Sequence, residues 1–106
     1  MQIYFVYDQV HRLGAVRTRS EFSEKWLGRE RSYLTVLKAK QRKPSCAVWA
    51  TCAVSLLRAA DAAANDNAAP RSDAGMTFRS LASRCLDQVL TEGLRGKEAS
   101  NDHQHN

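Results

Sequence analysis

The sequence predicts an all-α fold, a compact helix-turn-helix bundle of four helices followed by a C-terminal amphipathic helix. Apolar side chains recur at helical spacing in five segments, and capping residues or glycines bound most of these segments. The composition, with 43% hydrophobic and 25% charged residues, is that of an ordinary globular chain. With 106 residues the chain has the length of one domain and can bury one modest core.

The first predicted helix covers about residues 2–13 and is amphipathic. Its apolar side chains recur at intervals of three and four residues: Ile3, Val6, Tyr7, Val10 and Leu13. Gly14 follows directly, where a glycine in the left-handed conformation commonly ends a helix.

A second helix is predicted over residues 19–27, burying Phe22, Trp26 and part of Leu27. Thr18 and Glu21 fit a capping box, in which the carboxylate reaches back to the N–H of the capping residue itself. Gly28 then ends this helix.

The third predicted helix spans about residues 30–40, with Leu34 and Leu37, and optionally Val36, facing inward. Its outward positions are Arg31, Ser32, Tyr33, Thr35 and Lys38. Because only two or three residues separate the second and third helices, the two must meet at a tight corner.

The fourth predicted helix follows Pro44 and runs over residues 46–64, with Ser45 as its cap. Its buried stripe is predicted to contain Trp49, Cys52, Ala53, Leu56 and Ala60. Val48 and Val54 lie off this stripe, which predicts a helix covered from two directions.

The remaining chain divides into three parts after a helix-turn-helix domain at residues 1–64. Residues 65–75 are rich in turn formers and are predicted to be a linker. Thr77 caps a C-terminal amphipathic helix within residues 76–92, and residues 93–106 form a flexible polar tail. The apolar stripe of this helix either closes the core of its own chain or makes a dimer: Phe78, Leu81, Cys85, Leu86 and Val89.

Positive charge is concentrated in one segment of the chain. The net charge is +5, and residues 17–43 hold nine basic and three acidic residues, against seven and eight elsewhere. A basic module on a near-neutral chain indicates a polyanionic partner, and the alternative is a solvated surface patch.

The basic segment coincides with the predicted helix-turn-helix, a unit that presents one helix to the DNA major groove. Short polar or basic residues near the start of the third helix are predicted to contact bases: Arg29, Arg31, Ser32 and Thr35. Other residues are predicted to contact the DNA backbone: Thr18, Arg19, Ser20, Tyr33, Lys38, Lys40, Arg42 and Lys43. Tyr33 has packing against the first helix as its alternative role.

Three segments carry a resemblance to a known family: SEFSEKWLG (20–28), RSYLTVL (31–37) and QRKPS (41–45). Over residues 2–60 the chain resembles the lambda-repressor/Cro-like helix-turn-helix proteins, and it is closer still to a group of short bacterial proteins of this type with no defined function. In that family a small residue in the second helix lets the third pack against it, and the resemblance gives this role to Ser23. Gly28 matches the turn glycine of the family, and Leu34 and Leu37 match its apolar anchors.

The sequence departs from this family pattern at two places. The interval from Ser23 to Gly28 is one residue longer than usual, and Arg29 follows the glycine where an apolar residue is common. The register of the third helix is therefore not fixed by the pattern alone.

The basic segment and the resemblance together predict a sequence-specific DNA-binding transcriptional regulator of bacterial or phage-like type. Since one such module buries little area, a homodimer on two half-sites of double-stranded DNA is expected. The alternative is a protein-interaction module, such as an antitoxin or anti-regulator, that binds a partner protein through its apolar helices. These patterns do not identify the operator, the regulated genes or any effector. They also do not distinguish an activator from a repressor.

Other classes of protein are not expected. The first residues do not resemble a secretory signal, and no stretch approaches the roughly 18–20 apolar residues that cross a bilayer. The three cysteines form no CxxC pair and are expected to be reduced, buried thiols, which predicts a cytoplasmic protein without a membrane partner.

No catalytic constellation is visible, so we expect no enzyme activity and no cofactor. His103 and His105 are too few for a closed metal site, which takes three or four fixed ligands. No metal is therefore expected.

Overall fold

The computed structural model describes residues 1–65 and 73–104, with side chains described through residue 94. These residues form helices and turns without any strand, which confirms the all-α prediction. In chain order the elements are α1 (Ile3–Arg12), α2 (Arg19–Glu21) continued by a π-helical segment (Phe22–Trp26), α3 (Tyr33–Ala39), α4 (Cys46–Ala64) and α5 (Asp73–Gln104).

The N-terminal helix α1 ends as the sequence predicts. Gly14 adopts a φ of +77°, which lets the chain reverse without a Cβ penalty. The N–H groups of Gly14 and Ala15 donate to the carbonyls of His11 and Val10, at 3.0 and 3.2 Å. This pair of bonds is a Schellman motif and satisfies two carbonyls at the end of α1.

The start of α2 is capped by Thr18, whose Oγ1 accepts from the Glu21 N–H at 3.1 Å. The Glu21 carboxylate accepts from the N–H of Arg17 at 2.9 Å. The predicted return bond to the N–H of Thr18 itself is therefore wrong by one residue. The carboxylate satisfies the amide just outside the helix, and the cap still uses both side chains.

The central helix α4 has the predicted bounds, and its cap is Ser45, whose Oγ accepts from the Val48 N–H at 3.3 Å. It is covered from two directions, as expected. On one side Ser55 Oγ donates to the carbonyl of Trp26 at 2.8 Å, and on the other Cys46 Sγ donates to the carbonyl of Val89 at 3.6 Å. Val48 belongs to the buried face together with the predicted stripe.

By length and composition α4 could also cross a membrane, since it has 19 residues and a mean hydropathy of 1.3. The expectation that no stretch of the sequence is long and apolar enough to cross a bilayer is therefore wrong by this measure. One face of α4 is buried in the core, at Trp49, Cys52 and Leu56 among others. About a third (33%) of this apolar stretch is buried inside the fold, and core helices of other proteins meet the same length and composition test.

The C-terminal helix α5 begins at Asp73, four residues before the predicted cap. Thr77 lies within the helix, and its Oγ1 donates to the Asp73 carbonyl at 3.0 Å, so it is not a cap. Of the predicted linker, residues 66–72 lie outside the described residues. The backbone is helical as far as Gln104, and the flexibility of the predicted tail 93–106 stays a prediction.

Candidate nucleic-acid interface

Ser23 forms the contact that joins the two helices of the corner. Its side chain is fully buried, and its Oγ accepts a hydrogen bond from the Leu34 N–H at 3.2 Å. Leu34 is the second residue of α3, and an amide at that position has no partner within its own helix. One helix therefore caps the next through a small side chain, which is the position the family resemblance gave to Ser23.

The turn between the helices depends on Gly28, which has a φ of +64°. The following amide, that of Arg29, donates to the Ser23 carbonyl at 2.9 Å and closes the end of the helix. A Cβ at Gly28 would lie 3.6 Å from Thr51 Cγ2, an ordinary contact. Glycine is required here by the backbone conformation and not by lack of space.

The residues before this turn form a π-helical segment instead of a regular α-helix. The Leu27 N–H donates to the Phe22 carbonyl at 3.1 Å, five residues back. A π-turn holds one residue more than an α-turn, so the interval from Ser23 to Gly28 contains one residue more than a regular helical turn would place there. Phe22, Ser23 and Leu27 all remain buried as a result.

The third helix is shorter than predicted, because α3 starts at Tyr33 and not near residue 30. It begins where the Leu34 amide meets the Ser23 hydroxyl, and the residues before it are needed to cross from one helix to the other. Arg29, Arg31 and Ser32 therefore lie in the turn, and Ser32 makes no side-chain capping bond.

Of the predicted base-contact residues, Thr35 alone lies within α3, and all four side chains are exposed. Leu34 and Leu37 are buried, as predicted. Val36 is 42% exposed and takes no part in the core, so its optional inward position is wrong. The outer face of α3 is consequently open along its length.

Tyr33 is half-buried and packs against the core, and its predicted DNA-backbone contact stays a prediction. The Arg29 guanidinium lies over its ring, 5.1 Å from the centroid. Burial raises the pKa of Tyr33, and the Arg29 charge opposes that shift. Burial also raises the pKa of the nearby Tyr4, whose hydroxyl has no hydrogen-bond partner among the described residues.

The basic residues around α3 are largely free of ion pairs. Of the nine in residues 17–43, only Lys25 pairs with a described carboxylate, its Nζ lying 3.9 Å from Glu21 Oε2. Most of the predicted backbone-contact residues are exposed: Thr18, Arg19, Lys38, Lys40, Arg42 and Lys43. Ser20 and Tyr33 are half-buried. The exposed cations flank both ends of α3.

The predicted C-terminal stripe divides between the core and the surface. Phe78, Leu81 and Cys85 are buried against α4, and Val89 is half-buried. Leu86 is exposed and takes no part in closing the core. Packing within the chain therefore accounts for most of the stripe.

A family model matches residues 3–103, which span every helix from α1 to α5. The chain belongs to DUF6626, a family of unknown function. No curated protein and no solved structure matches it. The matched range shows that α5 belongs to the family unit together with the corner between α2 and α3.

Acidic, histidine and cysteine side chains do not gather at this surface. Within the part of the chain whose side chains are described, no three of them are placed to hold a metal ion. His103 and His105 lie outside that part.

Proposed function

We propose that this chain is a sequence-specific DNA-binding transcriptional regulator that inserts α3 and the turn before it into the major groove. The observation that carries the proposal is the set of exposed cations on both sides of α3 that form no ion pair with a described residue. Cations that have no carboxylate partner in the protein are available to phosphates. The corner held by Ser23 and Gly28 supports the resemblance to lambda-repressor/Cro-like proteins, because it fixes α3 as a projecting element.

The two ends of α3 have different roles in this proposal. Arg29 and Arg31, in the turn before the helix, lie at the end of a recognition helix that contacts base edges. Thr35 adds a hydroxyl on the outer face. Lys38 and Lys40, with Arg42, Lys43 and the start of α2, contact phosphates and set the orientation of the protein on the duplex.

The proposed regulator is a homodimer, and an apolar surface on α4 and α5 supports this. Asp61 of α4 and Arg79 of α5 form an ion pair at 3.2 Å, which shows that these positions meet along one edge of the helix pair. Residues at helical spacing from this pair lie on the same edge and are exposed: Val54, Leu57, Leu86 and Leu90. We call this set the outer edge. Pairing of two outer edges would place two copies of α3 on two half-sites.

The test is binding to double-stranded DNA by wild type and by an Arg29→Ala/Arg31→Ala variant, using genomic fragments and then the enriched sequence. Wild type is expected to enrich a short palindromic motif. The variant is expected to lose about 1–3 kcal/mol of discrimination for each base contact removed. Lys25→Ala, which removes the ion-paired cation, is the matched control and should bind as wild type does. Absence of duplex binding even at low salt would overturn the proposal.

The outer edge also favours a second candidate function, the binding of a partner protein through apolar helices. Arg31→Ala separates the two functions, and Leu86→Asp tests the outer edge itself better than a change at Phe78 does, because Leu86 is exposed and Phe78 is buried. Under this second function Leu86→Asp abolishes binding of the partner protein, and Arg31→Ala does not. The affinity for the partner protein then hardly depends on salt. A DNA-binding protein instead loses affinity with a log–log salt slope of about −0.9 per phosphate contact.

A further inference from the structure

A cleft of about 790 Å³ opens where three parts of the chain meet: the start of α1, the segment between α3 and α4, and residues 88–92 of α5. Small-molecule sites usually have volumes of about 300–1,000 Å³ and combine apolar surface with a few convergent polar groups. The sequence gives no sign of this cleft, because its walls come from segments far apart in the chain.

One wall of the cleft is cationic. It contains Lys38, Arg42 and Lys43, and none of the three forms an ion pair with a described residue. The facing wall on α5 is polar and includes a single carboxylate, that of Glu92. The excess of positive charge favours an anionic ligand.

The remaining lining is apolar or aromatic. Half-buried side chains supply most of this surface, namely Met1, Tyr4 and Pro44, and Ile3 and Trp49 lie almost fully buried behind them. An inorganic anion would make no use of such a surface. Cations beside aromatic and aliphatic groups suit an organic molecule that carries both a phosphate and a flat apolar part.

A second observation comes from Gln41, which also lines the cleft. It is the one non-glycine residue with a positive φ, +53°, in the described part of the chain. The amides of Gln41 and Arg42 donate to the carbonyls of Lys38 and Leu37, at 3.1 and 3.0 Å, in a Schellman motif where glycine is preferred. The chain thus keeps an amide side chain in the cleft wall at a position where glycine would cost less strain.

We propose that this cleft binds a small phosphorylated organic molecule of about the size of a nucleotide. The phosphate oxygens of this ligand are bound by Lys38, Arg42 and Lys43. The side-chain amide of Gln41 forms a hydrogen bond to the same ligand. The same three cations are among those assigned to DNA phosphates. A bound ligand therefore excludes DNA, and this regulatory part rests on the proposed DNA-binding function.

The ligand is tested with ADP as the probe, by calorimetric titration of the wild-type chain. Binding is expected to saturate, and adenosine and inorganic pyrophosphate are each expected to bind at least about tenfold more weakly. Equal binding of adenosine would overturn the anionic part of the proposal. Equal binding of pyrophosphate would overturn the organic part, and absence of saturable ADP binding would overturn the whole.

The site is tested with variants of exposed residues, which should fold normally. Arg42→Ala/Lys43→Ala is expected to lose about tenfold or more in ADP affinity. Lys40→Ala removes a neighbouring cation that does not line the cleft, and should bind ADP within about twofold of wild type. Gln41→Gly is expected to raise the melting temperature and to weaken ADP binding. Equal ADP affinity in all of these variants would overturn the site.

Thr91→Trp distinguishes this proposal from the proposed function, because Thr91 lies in the α5 wall away from the DNA surface. It is expected to block ADP and to leave duplex binding unchanged. If ADP binds as described and no variant binds duplex, the cleft stands and the DNA-binding function fails. If duplex binds and ADP does not, the DNA-binding function stands and the cleft proposal fails. If both bind without competing, the regulatory part is overturned.

Discussion

Ser23 serves two backbone groups at the corner between α2 and α3. Its hydroxyl accepts from the Leu34 amide, and its carbonyl accepts from the Arg29 amide. The Leu34 amide lies at the start of α3 and lacks a partner in its own helix, whereas the Arg29 amide closes the end of the helical segment that contains Ser23. Because the side chain has no exposed surface, water cannot replace the hydroxyl.

We therefore expect Ser23→Ala to lower the free energy of unfolding by about 1–3 kcal/mol, the cost of an unsatisfied buried amide. Ser32→Ala is the matched control, because Ser32 is exposed at the start of the same helix and makes no side-chain cap. It should change stability by less than about 0.5 kcal/mol. Urea unfolding followed by circular dichroism measures both. Equal effects of the two changes would show that the Ser23 bond does not stabilise the corner.

At the scale of elements, the π-helical segment gives the corner one residue more than a regular α-helical turn would contain. In a regular α-helix an insertion rotates every later side chain by about 100°. Here the rotation is confined to one wide turn, so Phe22 and Leu27 remain buried on either side of it. The extra residue is thereby kept away from the packing of α3.

Deletion of Glu24, which is exposed within this segment, should convert it into a regular α-helix. The Leu27 amide would then reach the Phe22 carbonyl four positions back, and no buried group is lost. We expect stability to change by less than about 1 kcal/mol, as for a surface change. The measurement is thermal unfolding, with hydrogen exchange of the Leu27 amide.

The control for this deletion is removal of Val54, an exposed residue in the middle of α4. No π-turn is present there, so Leu56 and Ala60 would rotate out of the core. The loss should be at least about 2–5 kcal/mol, as for truncation of a buried leucine. If the Glu24 deletion were as damaging as this one, the π-turn would be an essential part of the corner.

The sequence predicted the elements whose signal is local. The periodicity in α1 and α4 located both helices within one residue at each end, and Ser45 and Gly14 marked a start and an end. The predicted start of α3 was wrong because the true start is determined by the Ser23 hydroxyl of another helix. No pattern in residues 29–32 indicates that contact. The exposure of Arg31, Thr35 and Lys38 was predicted, whereas the cleft was not, since it depends on three segments meeting.

At the scale of the whole molecule, α4 joins a basic half to an apolar half. The corner between α2 and α3 contacts α4 through Ser55 and Trp26, and α5 contacts it through Cys52 and Cys85. Whatever separates α5 from α4 would expose the buried faces of both helices. The attachment of α5 therefore determines whether the outer edge and the cleft exist at all.

The three cysteines report on that attachment. Cys52 and Cys85 are fully buried between α4 and α5, with Sγ atoms 3.9 Å apart, whereas Cys46 is half-buried near the start of α4. The hydrogen bond between the two thiols, together with burial, raises the pKa of Cys52. Since the thiolate is the reactive form, Cys52 is protected both by lack of access and by its protonation state.

We expect a thiol reagent such as dithionitrobenzoate to modify Cys46 first. The Cys46→Ser variant should react at least about a thousandfold more slowly than wild type, at the rate set by global unfolding. Addition of urea should raise that slow rate in step with the loss of helicity. Cys46→Ser also identifies which thiol gives the fast phase. If Cys46→Ser reacted in native buffer as fast as wild type, α5 would open independently of the rest of the molecule, and its stripe would be available to a second copy or a partner protein.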